Sequence, residues 1–251
     1  MIKVSILGYG NLGRHLVSAL KGIDQVSLTQ VYSRNQPPVP PDGINLVGDL
    51  SELSPCDLLI AAVSDDALSA LSEQLPKDVA LVHTSGTVDI DALGGQEKRG
   101  VFYPLQTFSK DRAVSFKNIP ICLESNHPEL STVLENLGYL LSNQVVWLNS
   151  TQRRQLHFGA VLVNNFSNHL YSLAEDYLNQ HELPFELLHP LIEETAKKAI
   201  AMSPQKAQTG PAKRGDRDTI NRHLSEITDE ELQEIYKLLT ASISRKYKPS
   251  K

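Results

Sequence analysis

Six residues near the start of the chain, Gly8-Tyr9-Gly10-Asn11-Leu12-Gly13, have the types and spacing needed to hold a pyrophosphate. In such a turn Gly8 permits the tight reversal, Gly10 lets the backbone approach an anion, and Gly13 lets the next helix pack on the preceding strand. The anion then rests on the free N–H groups and positive end of that helix. An ordinary strand-to-helix turn can carry the same pattern. The flanks favour the nucleotide reading: Ile2, Val4, Ile6 and Leu7 read as a buried strand, and Leu12, Leu16, Val17 and Leu20 as one helical face.

Val26 to Tyr32 reads as the second strand and ends in Ser33-Arg34-Asn35. A site selective for NAD places an acid about twenty positions after the glycines, on the ribose hydroxyls. No Asp or Glu occurs between Gln25 and Pro41. A hydroxyl and a guanidinium stand there instead, suited to a 2′-phosphate. This favours NADP, the alternative being a solvated loop that holds an arginine. The expected cofactor contacts are Gly8, Tyr9, Gly10, Asn11, Leu12 and Gly13, then Ser33 and Arg34, and Val63 and Ser64 after a later strand.

Three further groups could do chemistry. His83-Thr84-Ser85-Gly86 ends the buried strand Val79 to Val82; His83 or Ser85 could polarise a carbonyl or imine, or they could be a satisfied histidine and a turn former. Gln155, His157, Asn164, Asn165, Asn168 and His169 interrupt an otherwise apolar helix, with His157, Val161 and Asn165 four apart on one stripe. They could line a cleft between domains, satisfy buried backbone groups, or meet a symmetry-related helix. Thr209 to Asp216 carries Lys213 and Arg214 beside glycine and proline, and is either a solvated loop or a binding loop for a carboxylate or phosphate. Asp65 and Asp66 read as helix caps rather than catalytic acids.

The elements that must position these groups alternate strand and helix over the first part of the chain, giving an α/β, Rossmann-type, doubly wound and mostly parallel sheet. Leu58 to Val63 is apolar enough to be a strand buried on both faces, and Ser64-Asp65-Asp66 reads as a capped helix start. Ile44 to Val47, Val101 to Tyr103, Ile119 to Leu123 and Val145 to Leu148 are further strand candidates, with Pro128 to Leu141 helical. Gln36 to Pro41 reads as a stiff extended loop. From Ser150 the pattern is helix only: Thr151 to Asn179, Phe185 to Met202, Arg217 to Leu224 and Asp229 to Ile243. Residues 1–149 are therefore expected to form the dinucleotide-binding domain, and 150–251 an all-α domain for substrate and dimerisation.

The chain has 251 residues, 41% hydrophobic and 21% charged, with a net charge of −5. That balance gives no footprint for nucleic acid, and no stretch is apolar enough to span a membrane. Cys56 and Cys122 are too few for a disulfide framework, and no Cys/His spacing marks a metal site. The start lacks the features of a signal peptide, so the expected location is cytoplasmic. The basic end, Ser244 to Pro249, reads as a frayed tail.

Taken in order, Gly8-x-Gly10-x-x-Gly13, Ala62 to Ala67, His83-Thr84-Ser85-Gly86, Pro104-Leu105-Gln106-Thr107-Phe108, the His157 to Asn165 helix and Thr209-Gly210-Pro211-Ala212-x-Arg214-Gly215-Asp216 resemble a bacterial family. Its members are described as predicted NADP-dependent oxidoreductases, with a Rossmann-like domain followed by a C-terminal helical domain of unknown function. The family is distantly similar to pyrroline-5-carboxylate reductases and to the 6-phosphogluconate and 3-hydroxyacid dehydrogenases. The resemblance implies hydride transfer between NADPH and a small carbonyl, imine or hydroxyl substrate in an interdomain cleft, and a homodimer. His157 is then the expected proton donor or acceptor, Ser85 and Asn165 orient the substrate, and Arg214 binds an anionic group.

Two departures accompany it. The hydroxyacid dehydrogenases use a lysine on the long helix, and none occurs from Thr151 to Glu194. The family tends to have histidine before Pro-Leu-Gln-Thr-Phe, where this chain has Tyr103. That residue keeps open a second reading, a non-catalytic NADP-binding or sensing protein whose helical domain binds a partner.

Overall fold

Parallel strands buried on both faces need helices on both faces, and the chain supplies them. The computed structural model describes residues 1–35 and 43–247; the proline-rich segment from Gln36 and the last four residues lie outside them. Eight strands form one sheet: β1 (Ile2–Leu7), β2 (Val26–Tyr32), β3 (Leu46–Val47), β4 (Leu58–Ala61), β5 (Leu81–His83), β6 (Arg99–Pro104), β7 (Ile121–Ser125) and β8 (Val145–Trp147). Their order is β3-β2-β1-β4-β5-β6-β7-β8, parallel throughout except between β6 and β7. The order reverses between β1 and β4, where Leu7 pairs with Ala61. A doubly wound sheet opens its ligand crevice at such a reversal.

Four helices belong with the sheet: α1 (Asn11–Lys21), α2 (Leu68–Glu73), α3 (Pro128–Leu141) and α4 (Ser150–Val161). Alternation along the strands splits the core in two. Val4, Ile6, Leu58, Ile60, Val82 and Phe102 pack with Leu16, Val17 and Leu20 of α1 and Leu130, Leu134 and Leu137 of α3. Leu7, Leu59, Ala61 and Leu81 pack with Leu68 and Leu71 of α2. Each fully buried aliphatic side chain contributes roughly 1.5–3 kcal/mol, so these two layers hold the crevice in place.

The chain divides into two compact units, Met1–Asn165 and Phe166–Lys251. The second contains α5 (Ser167–Gln180), α6 (His189–Met202), α7 (Pro204–Ala207), α8 (Pro211–Arg214), α9 (Arg217–Glu226) and α10 (Glu230–Lys246). Its sole buried side chain among the described residues is Ala212. There α8 packs on α9 and α10, and Ser244 donates to the Ala212 carbonyl at 3.1 Å.

Several expectations need correction. The long helix expected from Thr151 to Asn179 is interrupted by a π-helical turn, Leu162–Phe166, between α4 and α5. Widened turns of this kind recur at functional sites. The strand expected to reach Val63 stops at Ala61, and the short strand expected from Ile44 keeps only Leu46 and Val47. Ser64 starts a single 3₁₀ turn and makes no side-chain cap, so α2 begins only at Leu68. The polar loop expected after Met202 holds two one-turn helices, α7 and α8, each begun by proline.

Candidate functional site

The three glycines at the exit of β1 do different work. Gly8 has φ +105°, and a Cβ there would lie 2.4 Å from the Ala62 carbonyl oxygen. Only glycine fits that conformation against the end of β4. A Cβ on Gly13 would stand 2.1 Å from the Gly8 oxygen, so α1 packs directly on the turn. At Gly10 a Cβ would meet nothing within 4 Å. Gly10 caps α1 without a side-chain hydrogen bond, and the first turn of α1 carries no acid. The N–H groups of that turn are thus kept for an anion from outside, and the residues fit a dinucleotide pyrophosphate. Tyr9 frames the turn, with the Arg14 guanidinium 4.5 Å from its ring centroid.

Ser33 and Arg34 follow β2 directly beside this turn, since Gly8 donates to the Tyr32 carbonyl at 2.8 Å. Ser33 is buried and its hydroxyl donates to the Asn35 carbonyl at 3.0 Å, whereas Arg34 is exposed. Val63 borders Gly8, with Cγ1 3.0 Å from the position of a Cβ there. Ser64 is adjacent, its hydroxyl uninvolved in capping.

Beyond β5 the polar groups bond to one another. His83 is fully buried, and its Nδ1 accepts from the Ser85 N–H at 3.1 Å. Burial, reinforced by the charge of Arg153, pushes its pKa from 6.5 down to about 4. A histidine so held stays neutral near pH 7. The Ser85 hydroxyl accepts from the N–H groups of Thr87 and Val88, both at 3.1 Å, and so shapes the loop. Asp65 caps nothing in its own turn; it accepts from the Thr87 hydroxyl at 2.7 Å.

That loop is tied to the start of α4. Asn149 and Gln152 form a capping box, which fixes the helix entry. One residue later in the turn, the guanidinium of Arg153 is buried against the Glu124 carboxylate and donates also to the Val88 carbonyl. Ser150 donates to Glu124 at 2.8 Å and accepts from the Ile90 N–H at 3.1 Å. One helical turn beyond Arg153, the Nδ1 of His157 lies 3.0 Å from the Tyr103 hydroxyl. Gly86 closes this corner, because a Cβ there would be 2.4 Å from His157 Nδ1. Burial raises the Tyr103 phenol to about 12.

An open cleft of about 910 Å³ joins these parts. Asn11 and Leu12 of α1, Tyr103, Gln106 and Phe108 at and after the end of β6, and His157, Asn164 and Asn165 of α4 and the π turn all line it. Of the residues singled out for catalysis, His157 and Asn165 therefore share a cleft with the first turn of the glycine helix. Ser85 does not line it, and Arg214 belongs to the second unit, exposed, with Asp216 at 3.9 Å. No local pattern announces the Tyr103 contact, the role of Gly86 or the Arg153–Glu124 pair, because each joins residues far apart in sequence.

A family model described as a domain of unknown function, DUF2520, matches residues 119–243. Among solved structures, the chain is similar to the putative NADP oxidoreductase BF3122 of Bacteroides fragilis, at 36% identity over 97% of this chain and 98% of that one, with a TM-score of 0.86. Protein TM1727 of Thermotoga maritima is 22% identical over 96% and 99%, with a TM-score of 0.76. A Plasmodium falciparum pyrroline carboxylate reductase solved with NADP bound is 13% identical over 98% and 97%, with a TM-score of 0.60. The last two share the fold. No curated protein sequence matches the chain, and among the described residues no helix is long and apolar enough to cross a membrane.

Proposed function

The chain belongs to the Rossmann-like family that includes the Bacteroides fragilis protein and carries the DUF2520 domain, and from that premise we propose that it is an NADP(H)-dependent oxidoreductase acting on a small carbonyl, imine or hydroxyl compound. The observation that carries this reading is the shared cleft. Asn11 and Leu12 in the first turn of α1, directly after Gly10, line the same space as His157 and Asn165. A nicotinamide cofactor bound there supplies or accepts hydride; every other task falls to the chain's own groups.

Gly8, Gly10 and Gly13 would bring the N–H groups of α1 to the pyrophosphate, with Tyr9, Asn11, Leu12, Val63 and Ser64 around it. Arg34 would meet the 2′-phosphate. The Ser33 hydroxyl is engaged with Asn35, so the guanidinium is the main source of selectivity. His157 would give or take the proton, and Asn165 would orient the substrate. Ser85 is better suited to shaping the loop that seats His157. The sensing alternative drew on Tyr103 in place of histidine, yet that hydroxyl bonds to His157 and keeps a polar partner at the site.

The test is binding followed by turnover. Wild-type protein should bind NADPH more tightly than NADH, read by quenching of nicotinamide fluorescence. Arg34→Glu should weaken NADPH by roughly ten- to a hundredfold, the loss of a charge-assisted contact, and NADH far less. Equal loss of both would remove the 2′-phosphate assignment. His157→Ala should bind NADPH normally and fail to reduce any member of a panel of small carbonyls and imines; full activity in this variant would remove His157 from the reaction, whereas NADPH binding with no turnover in the wild type would support the sensing protein instead.

We also propose a homodimer. A unit in which Ala212 is the sole buried side chain among the described residues has little core of its own, and a second copy is the partner always present with it.

A further inference from the structure

We propose that Tyr103 is a positioning residue that decides which nitrogen of His157 carries hydrogen, and that the substrate atom facing His157 is consequently a hydrogen-bond acceptor, the oxygen of a carbonyl or the nitrogen of an imine. This rests on the reading of His157 as the residue that meets the substrate, and it narrows that reading to the reductive side.

Tyr103 is 9% exposed as a residue, and its hydroxyl lies 3.0 Å from His157 Nδ1. It has no other hydrogen-bond partner among the described residues. Within the protein the phenol O–H finds a partner only by donating to Nδ1, which is favoured over leaving this part-buried donor unpaired. Tyr103 also keeps its proton at working pH, because burial holds its pKa near 12. Nδ1 must then accept, and a neutral imidazole that accepts at Nδ1 carries its hydrogen on Nε2.

The surroundings hold the ring in that arrangement. Gly86 fills the side next to Nδ1 with backbone: a Cβ at this position would stand 2.4 Å from Nδ1 and 3.0 Å from Cζ of Tyr103. Nδ1 is therefore enclosed by Tyr103 and Gly86, while His157 lines the cleft. Nε2 is the nitrogen left for a ligand, and it presents N–H. Such a donor polarises C=O or C=N toward reduction. A hydroxyl substrate awaiting deprotonation would find no lone pair on this nitrogen.

The hydrogen can be located directly in the cofactor-free protein. Histidine-¹⁵N-labelled full chain, with His157→Gln to assign the signals, should show His157 at a pH where its ring is neutral with Nε2 protonated and Nδ1 as an unprotonated acceptor. Tyr103→Phe should shift His157 toward a mixture of both tautomers while the thermal melt stays cooperative. A wild-type ring protonated on Nδ1 would overturn the proposal, and so would an unchanged tautomer in Tyr103→Phe. Should that variant fail to fold, the wild-type spectrum alone decides. In the reductase assay Tyr103→Phe should lower kcat about tenfold or more with KM little changed. Absence of NADPH turnover in the wild type would refute the enzyme reading while leaving the tautomer result standing, so the two failures are distinguishable.

Discussion

Arg153 and Glu124 form an ion pair in which the arginine side chain is 1% exposed and the glutamate 15%. The pair joins the first turn of α4 to β7, and the same guanidinium holds the Val88 carbonyl of the loop after β5. His157 follows one turn later on the same helix face. The distance between His157 and Tyr103 is thus set by a buried charge pair rather than by the flexibility of either ring. A site built on rigid elements holds its groups to tolerances that a loop cannot.

Breaking this pair from one side should cost far more than removing both partners. Arg153→Ala strands a largely buried carboxylate, a change worth about 3–5 kcal/mol. Arg153→Met combined with Glu124→Gln leaves no uncompensated charge and should be distinctly milder. Urea denaturation of the single and double variants measures this. Additive losses would mean that the two groups do not act as a pair.

Gly10 and Gly13 should respond to alanine in opposite ways. At Gly13 the added Cβ meets the Gly8 carbonyl at 2.1 Å, so the turn must distort and the melting temperature should fall. At Gly10 the space is open, and Gly10→Ala should fold with an unchanged melting temperature. The same methyl occupies the approach to the N–H groups of α1, so NADPH binding should weaken by about tenfold or more. Normal NADPH affinity in Gly10→Ala would place the cofactor elsewhere.

How much of this was readable in advance follows from how local each feature is. The glycine turn, the α/β alternation and α3, which spans Pro128–Leu141 as its apolar spacing predicts, are set by neighbours in sequence. The π turn at Leu162–Phe166 contains no proline or glycine, so nothing local announces it. The four-residue stripe from His157 to Asn165 assumed an unbroken helix, although both residues reach the cleft. Tyr103 and His157 are 54 positions apart and meet only once the sheet exists. Ser85 has the composition of a reactive group, but its hydroxyl is consumed by two backbone N–H groups, a pairing visible only in three dimensions.

The burial of His83 makes a prediction about acid. Its pKa falls from 6.5 to about 4 on folding, so between these values the unfolded chain binds a proton that the folded chain refuses. The contribution to stability is intact above about pH 6.5 and is lost as the pH falls toward 4. The span corresponds to about 3 kcal/mol. His83→Asn offers an oxygen to the Ser85 N–H without a titrating ring. Compared by urea unfolding near pH 7 and near pH 4.5, the wild type should lose about 2–3 kcal/mol more than the variant. Equal losses would mean that His83 gains its proton freely in the folded state.

The second unit supplies the last prediction, about assembly. Leu187 is 67% exposed, Leu191 62%, Ile200 86% and Leu238 68%, in helices that bury no side chain at all. Leaving such residues in water forfeits roughly 1.5–3 kcal/mol for each that could be covered. Several large apolar side chains exposed on one small unit point to an association site rather than a solvated face. Sedimentation equilibrium should therefore give twice the chain mass at micromolar concentration. Leu187→Glu with Leu191→Glu places charge in the contact, and should shift the protein toward the monomer and lower the melting temperature in a concentration-dependent way. A wild-type monomer that melts cooperatively, at a temperature independent of concentration, would show that the helical unit stands without a second copy.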